Sequence, residues 1–237
     1  MLVRTVVLAA LACGRSPSDL AIHERTSIEG PDAKTREVTR YYGTKKVVTE
    51  GQRQRTIIDL DARTMTLIDK QAKAYILTGF DDLAKQTEAL RTAFSRLPEE
   101  VQKQQLASDV QVTTKPTGRT EQILGYTATE YVVDAGSLHG SIWVAERLAV
   151  PPGKREWDSV SASLRGVTRL GDRFSDAIAE LKGVPLRQTI ATQSGKDGEP
   201  PTQEVTEVVS VSTEAPAADT LRVPDGFTKW TLPNLGS

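Results

Sequence analysis

The chain is 237 residues long, 38% apolar and 26% charged, with 31 acidic residues against 30 basic ones and a formal net charge of −1. That length supports a sizeable packed core, and the interspersed, nearly cancelling charges exclude the basic footprint of a nucleic-acid binder. A single cysteine leaves no internal disulfide, so stability has to come from packing.

In chain order the first feature is MLVRTVVLAALACGRSPSD. Arg4 and the chain amine supply positive charge, Val6 to Leu11 an apolar core, and Ala10-Leu11-Ala12 the small-x-small pattern of a cleavage site. The apolar run falls well short of the roughly 20 residues that span a bilayer. Gly14-Arg15-Ser16-Pro17-Ser18 then forms a polar, strand-breaking tether. The segment resembles a bacterial lipoprotein signal, in which cleavage precedes a cysteine that is then acylated; Ala10 stands where leucine is usual. Cys13 reads either as that acylated residue or as a buried thiol closing a short first strand. The abrupt break into the tether favours acylation. On that reading residues 1–12 are a signal peptide, 13–19 the lipidated Cys13 and its tether, and 20–232 a single folded domain. The protein is then expected in the cell envelope, periplasm-facing and anchored through Cys13, since more than one acyl chain gives stable attachment.

Beyond the tether the pattern is mostly that of period-2 strands. Leu20 to Ile28 is the first, and Arg36 to Thr49, rich in Val, Thr and Tyr, is the second. RTIIDLDARTMTLIDKQAKAYILTG, from Arg55 to Gly79, predicts three short strands with turns at Leu60–Thr64 and Asp69–Lys73. The period then lengthens: Leu83, Thr87, Leu90, Phe94, Leu97 and Val101 recur every three or four residues between Asp81 and Leu106. That predicts a core-facing helical stripe with Asp81 or Asp82 as its N-cap, and Pro98 opening a second helix. Strands follow at Val110–Thr114, Thr120–Gly125, Tyr126–Val133 and Gly140–Ala145. A helical region from Trp157 to Leu181 is weakened at Gly166 and Gly171. Pro185–Gln193 and Thr202–Thr213 predict a hairpin around Gly195–Gly198, and Leu221–Trp230 closes the chain.

About ten strands with two helical insertions do not alternate one to one, which excludes a doubly wound parallel fold. The predicted class is α+β: a large, curved antiparallel sheet with helices packed over its concave face.

Catalytic chemistry has little to build on. His23 and His139 are the only histidines, and neither has a Cys or paired acids at ligand spacing. His139 predicts a solvated hairpin tip and His23 a surface strand position. Asp59, Asp61 and Asp69 do not fit a calcium loop and read as turn or solvent-facing residues. Phosphate-binding glycine loops and a nucleophile elbow are absent from the sequence. No enzymatic activity, metal or cofactor is expected. What remains is apolar strand surface, and Met65, Leu67, Tyr75, Leu77, Tyr131 and Val133 are the candidate ligand contacts. They line either a packed core or a cavity, with a closed core as the default.

IIDLDARTMTLIDKQAKAYI, ILGYTATEYVV, SIWVAERL, LKGVPLRQTI and VPDGFTKW together resemble an uncharacterised family of exported bacterial proteins, a domain of unknown function (DUF4412-like). That family is similar in architecture to the LolA-like half-barrels of periplasmic lipoprotein carriers and related lipid-binding lipoproteins. The resemblance covers roughly residues 20 to 230 and implies a half-barrel with helices over its concave mouth. It brings no functional residues with it. The function expected is a non-catalytic envelope lipoprotein holding a lipid or other amphipathic ligand between sheet and helices. The alternative is a structural lipoprotein that docks another envelope protein and has no ligand cavity. Its membrane contact is through the lipid anchor, and nucleic acid is not an expected partner.

Overall fold

The computed structural model describes residues 19–29, 33–98, 111–135, 138–164, 176–192 and 202–231. Cys13 with its leader and tether, the helix expected after Pro98, the Gly166–Gly171 break and the Gly195–Gly198 tip all lie outside these residues.

One open sheet of twelve strands organises the described chain. Strands β1 (Leu20–Glu29), β2 (Lys34–Tyr42), β3 (Lys46–Gly51), β4 (Gln54–Asp59), β5 (Thr64–Asp69) and β6 (Ala74–Gly79) form an antiparallel meander. A second meander contains β7 (Thr113–Ile123), β8 (Tyr126–Ala135), β9 (Leu138–Ala145), β10 (Val184–Thr192) and β11 (Thr202–Ser212). The two join through the antiparallel pair β1–β11, which matches Thr26 with Thr206. The short β12 (Thr228–Trp230) pairs parallel with β6. The sheet is curved, antiparallel-dominated and unclosed, an α+β half-barrel, as the periodicity predicts.

Helix α1 (Phe80–Ser95) leaves β6 near one edge of the sheet, and the chain resumes at β7 on the other edge. Ten strand spacings separate those strands, about 48 Å if the sheet were flat. Helix α1 begins that connection, and its Leu83 packs against the apolar face of the sheet. Helix α2 (Pro152–Leu164) joins the neighbouring strands β9 and β10.

The strands differ from the sequence reading at two places, and at the first the expected strands Val110–Thr114 and Thr120–Gly125 are one strand, β7, irregular between Pro116 and Thr120. At the second, the expected strand Arg36–Thr49 is a hairpin, broken at Gly43-Thr44-Lys45, with Tyr42 opposite Val47. The continuous β-forming run conceals a turn that only Gly43 punctuates. The two predicted turns in Arg55–Gly79 do form. Asp59 Oδ1 accepts from the Ala62 N–H at 2.9 Å, and Asp69 Oδ1 accepts from Ala72 at 2.8 Å. In both turns the residue after the alanine, Arg63 or Lys73, is left-handed at φ 52° and 50°. The same ten-residue unit is thus used twice.

Alternation sorts the meander's two faces. Val47, Ile58 and Met65 stand opposite one another in register, as do Val48 and Ile57 on the other face. The first face joins the main apolar cluster of Leu20, Ile22, Tyr42, Phe80, Leu148, Val184 and Leu186, with Leu83 of α1 and Trp157 of α2 packed against it. Most of its members lie at strand ends: the starts of β1, β3 and β10, and the ends of β2, β4, β9 and β11. The core therefore concentrates at one end of the half-barrel. The second face, Val48, Ile57 and Ile68, is covered by Leu221, Val223 and Phe227 of the segment leading to β12. Each such side chain contributes about 1.5–3 kcal/mol when fully buried. Arg55 Nη1 fastens that segment by donating to Asp219 O at 2.9 Å and Arg222 O at 3.3 Å.

Helix α1 departs from expectation in two ways. Its N-cap is Gly79, with Asp81 and Asp82 in the first turn, where carboxylates favour the helix dipole. Its stripe is only partly covered: Leu83, Thr87 and Phe94 are half-buried, whereas Leu90 is 57% exposed.

Candidate functional site

An open cleft lies at the end of the sheet where the core concentrates. It measures about 690 Å³ and is bounded by the segment after β9, the first turns of α2, and residues 178–185 leading into β10. The local sequence explains its walls. After β9 the chain turns, with the Leu148 N–H donating to Ala145 O at 3.2 Å. Pro151 is fully buried, and its carbonyl accepts from Lys154 and Arg155 in the first turn of α2. Pro152 occupies the opening helical position, where a missing N–H costs nothing. On the opposite wall Gly183 has φ +123°, and a Cβ there would fall 2.5 Å from Ala145 O. That glycine lets the entrance to β10 lie directly against the end of β9.

The floor is apolar, contributed by Leu148, Val150, Ile178, Leu181 and Pro185. Ile178 and Leu181 also pack on Val133, Ile142 and Val144 of the sheet, so the floor continues the core. The rim carries Glu146, Lys154, Arg155, Asp158, Glu180 and Lys182. Lys154 bonds Asp158 at 2.6 Å and lies 5.8 Å from the Tyr42 ring centroid. Burial pushes the Tyr42 phenol up, helped by the Glu24 and Asp158 carboxylates and opposed by the Arg40 guanidinium. Arg40 is itself partnered with Glu24; burial acts to lower its pKa and the carboxylate more than reverses this. The Tyr131 hydroxyl donates to Glu146 at 3.0 Å, and its pKa is raised by burial and by that carboxylate.

A smaller hollow of about 330 Å³ lies on the other side of β10, between the β7–β8 hairpin tip and Leu186, Arg187 and Val208. The hairpin is held there by charge. Arg187 pairs with Glu121, and both Arg187 and Arg119 pack over the Trp143 ring, at 5.1 and 5.6 Å from its centroid. Arg119 bonds the buried Glu130 at 3.2 Å.

The six candidate ligand contacts fall in different places. Register sets Met65 and Leu67 on one face of β5 and their partners Thr78 and Ile76 beside them on β6. Tyr75 and Leu77 therefore point the other way: Tyr75 packs beneath the Leu221–Phe227 segment and Leu77 is 43% exposed. Met65 packs against the main cluster, while Tyr131 and Val133 belong to the group under the cleft floor. Only Tyr131, through Glu146, reaches the rim. The lining residues around Leu148 and Ile178 were missed by the sequence reading, which searched strands for alternation; LKGVPL, with glycine before a strand start, is the one local signal of a tight entrance.

His23 is half-buried on β1, 2.9 Å from Thr39 Oγ1, and His139 is exposed beside Asp134. Among the described residues no three His, Cys, Asp or Glu side chains are grouped to hold a metal. Nor is any described helix long and apolar enough to cross a membrane.

No protein-family model matches the chain, and no curated protein matches it. Solved structures with a similar chain path include PNGF-II, at 14% identity and TM-score 0.40, covering 90% of this chain and 31% of that one. The chain thus spans about a third of PNGF-II's length. A LolA superfamily protein from Nitrosomonas europaea is 8% identical, with TM-score 0.29 and coverage of 85% and 88%. A DUF1329 family protein from Desulfovibrio piger is 10% identical, with TM-score 0.29 and coverage of 82% and 85%. These are distant likenesses in chain path, and the functional reading rests on the chain's own residues.

Proposed function

We propose that this chain is a non-catalytic envelope lipoprotein, anchored through Cys13, that holds an amphipathic ligand in the cleft between α2 and the entrance to β10. The observation that supports the reading is the cleft's construction, an apolar floor continuous with the core beneath a charged rim. Its volume falls within the roughly 300–1,000 Å³ of small-ligand sites. At that end of the sheet the space beneath α1 and α2 is filled by packed side chains such as Leu20, Ile22 and Phe80, so the ligand is placed beside this cluster, in the cleft.

The long edge strand β7 counts against the alternative of docking by strand addition. It carries Lys115, Pro116 and Arg119, and its pairing is irregular between Pro116 and Thr120. Prolines, charges and irregular pairing are the devices by which edge strands refuse partners.

Native mass spectrometry of the full-length protein, extracted from membranes and incubated with lipid extract, tests the ligand. A bound amphiphile lost on Val150→Glu, in a variant whose thermal transition is unaltered, supports the reading; a protein that stays ligand-free overturns it. The anchor is tested separately by Cys13→Ala, which is expected to abolish the acyl mass increment and release the protein from membranes. A wild-type protein that is already soluble and keeps residues 1–12 overturns the localisation.

A further inference from the structure

We infer that the tip of the β7–β8 hairpin is a hinged flap over the main apolar cluster, latched by the ion pair of Glu121 with Arg187, an inference independent of the ligand reading above. The tip has the construction of a moving part. The β8–β9 pairing ends at Thr129 and Val144, so Tyr126 to Ala128 pair with β7 alone. At the base of the tip the β7–β8 register slips between Pro116 and Thr120, where four steps along β7 match two along β8. Gly118 sits in that irregularity at φ +79°, and a Cβ on it would meet nothing within 4 Å, so the glycine serves conformation rather than packing. Thr117 and Arg119 fasten the base itself to Glu130.

Beyond that base the tip curls back to the core. Ile123 and Tyr126 pack against the cluster that holds Leu186 and Val208, and the hollow of about 330 Å³ lies between. Among the described residues the one ion pair from the tip to the rest of the sheet is Glu121 with Arg187. Releasing it strands no cation, because Arg187 stands 5.1 Å from the Trp143 centroid and opposite Glu207. A partly exposed pair of this kind contributes little, so the tip can lift without unfolding the sheet. Lifting uncovers Ile123 and Tyr126 on the flap and Leu186 and Val208 beneath it, an apolar opening on the side of β10 away from the cleft.

The full chain with Cys13→Ser is given one thiol at a time, by Val208→Cys under the flap or by Val48→Cys, a fully buried position on the sheet's other face. Labelling with N-ethylmaleimide under native conditions is followed by mass spectrometry. Val208→Cys is expected to label faster than Val48→Cys. Adding Glu121→Gln is expected to raise the Val208→Cys rate about two- to fivefold and leave the Val48→Cys rate unchanged. Salt at about 1 M should reproduce that rise in the parent chain and add little to the Glu121→Gln variant. Glu207→Gln, which removes a nearby carboxylate but not the latch, should change nothing. Equal rates at the two sites, a Val208→Cys rate indifferent to Glu121→Gln, or an equal rise with Glu207→Gln overturns the flap.

Discussion

Gly153, in the first turn of α2, lies so close to Gly43 in the β2–β3 turn that a Cβ built on it would fall 1.8 Å from the Gly43 carbonyl oxygen. This backbone-to-backbone contact fixes the end of α2 that forms one wall of the cleft. Gly153→Ala is expected to destabilise the protein by about 1–3 kcal/mol, as an overpacked site that backbone must move to relieve. Gly43→Ala, whose Cβ would meet Asp19 Oδ1 at 3.1 Å and Lys46 O at 3.2 Å, is expected to cost less. Urea denaturation of both variants checks the ranking, and equal midpoints would show that α2 does not depend on this contact.

Lys73 holds φ at 50° in the turn between β5 and β6, a conformation that costs a non-glycine residue about 1–2 kcal/mol. Lys73→Gly relieves this cost and loses part of it again to unfolded-chain entropy. A net stabilisation of up to about 1 kcal/mol is expected, read as a raised thermal midpoint. The Thr228 N–H bond to the Lys73 carbonyl uses backbone alone and is kept.

Glu130 is buried on β8, where Thr117 Oγ1 donates to it at 2.9 Å and Arg119 at 3.2 Å. Arg119→Ala strips the carboxylate of its cation and part of the cover over Trp143. A loss of about 1–3 kcal/mol is expected. Adding Glu130→Gln removes the stranded charge and should recover part of the loss. A double variant less stable than Arg119→Ala alone would refute the charge argument.

Asp59 supplies the acid-dependent test. Burial acts to raise its carboxyl, but the Ala62 N–H and the Lys46 ammonium outweigh this and hold it below the ordinary value of 3.8. A group depressed in the folded state stabilises fully above its unfolded pKa, and loses that contribution as pH falls through the folded one. Asp59→Asn keeps an acceptor for Ala62 and gives up the 3.3 Å pair with Lys46. It should lower stability by about 0.5–1 kcal/mol at pH 7 and by less at pH 3, measured as urea midpoints at the two values.

Legibility in the sequence followed the range of the interaction. The β4–β6 meander was readable because its alternation, its Asp-initiated turns and its repeat are all local. The β2–β3 hairpin was not, because Tyr41-Tyr42-Gly43 looks like an uninterrupted β-forming run with one glycine in it. Alternation also reveals which residues of one strand share a face but not how the next strand is set against it. Odd-numbered positions of β5 pair with even-numbered ones of β6, so Leu67 and Tyr75 were grouped from sequence and separated by register. The cleft was the least legible feature. Its walls come from connecting segments around Val150 and Ile178, and tertiary packing alone brings them together.

The pairing of Thr26 with Thr206 sets a schedule for biogenesis. A chain delivered N-terminus first can complete the β1–β6 meander early, yet β1 then waits with one edge unpaired until β11 emerges. Contacts of such long sequence separation form slowly, and an open strand edge is a template for unwanted association in the meantime. Strand β1 therefore needs protection during synthesis until its pairing partner β11 is made.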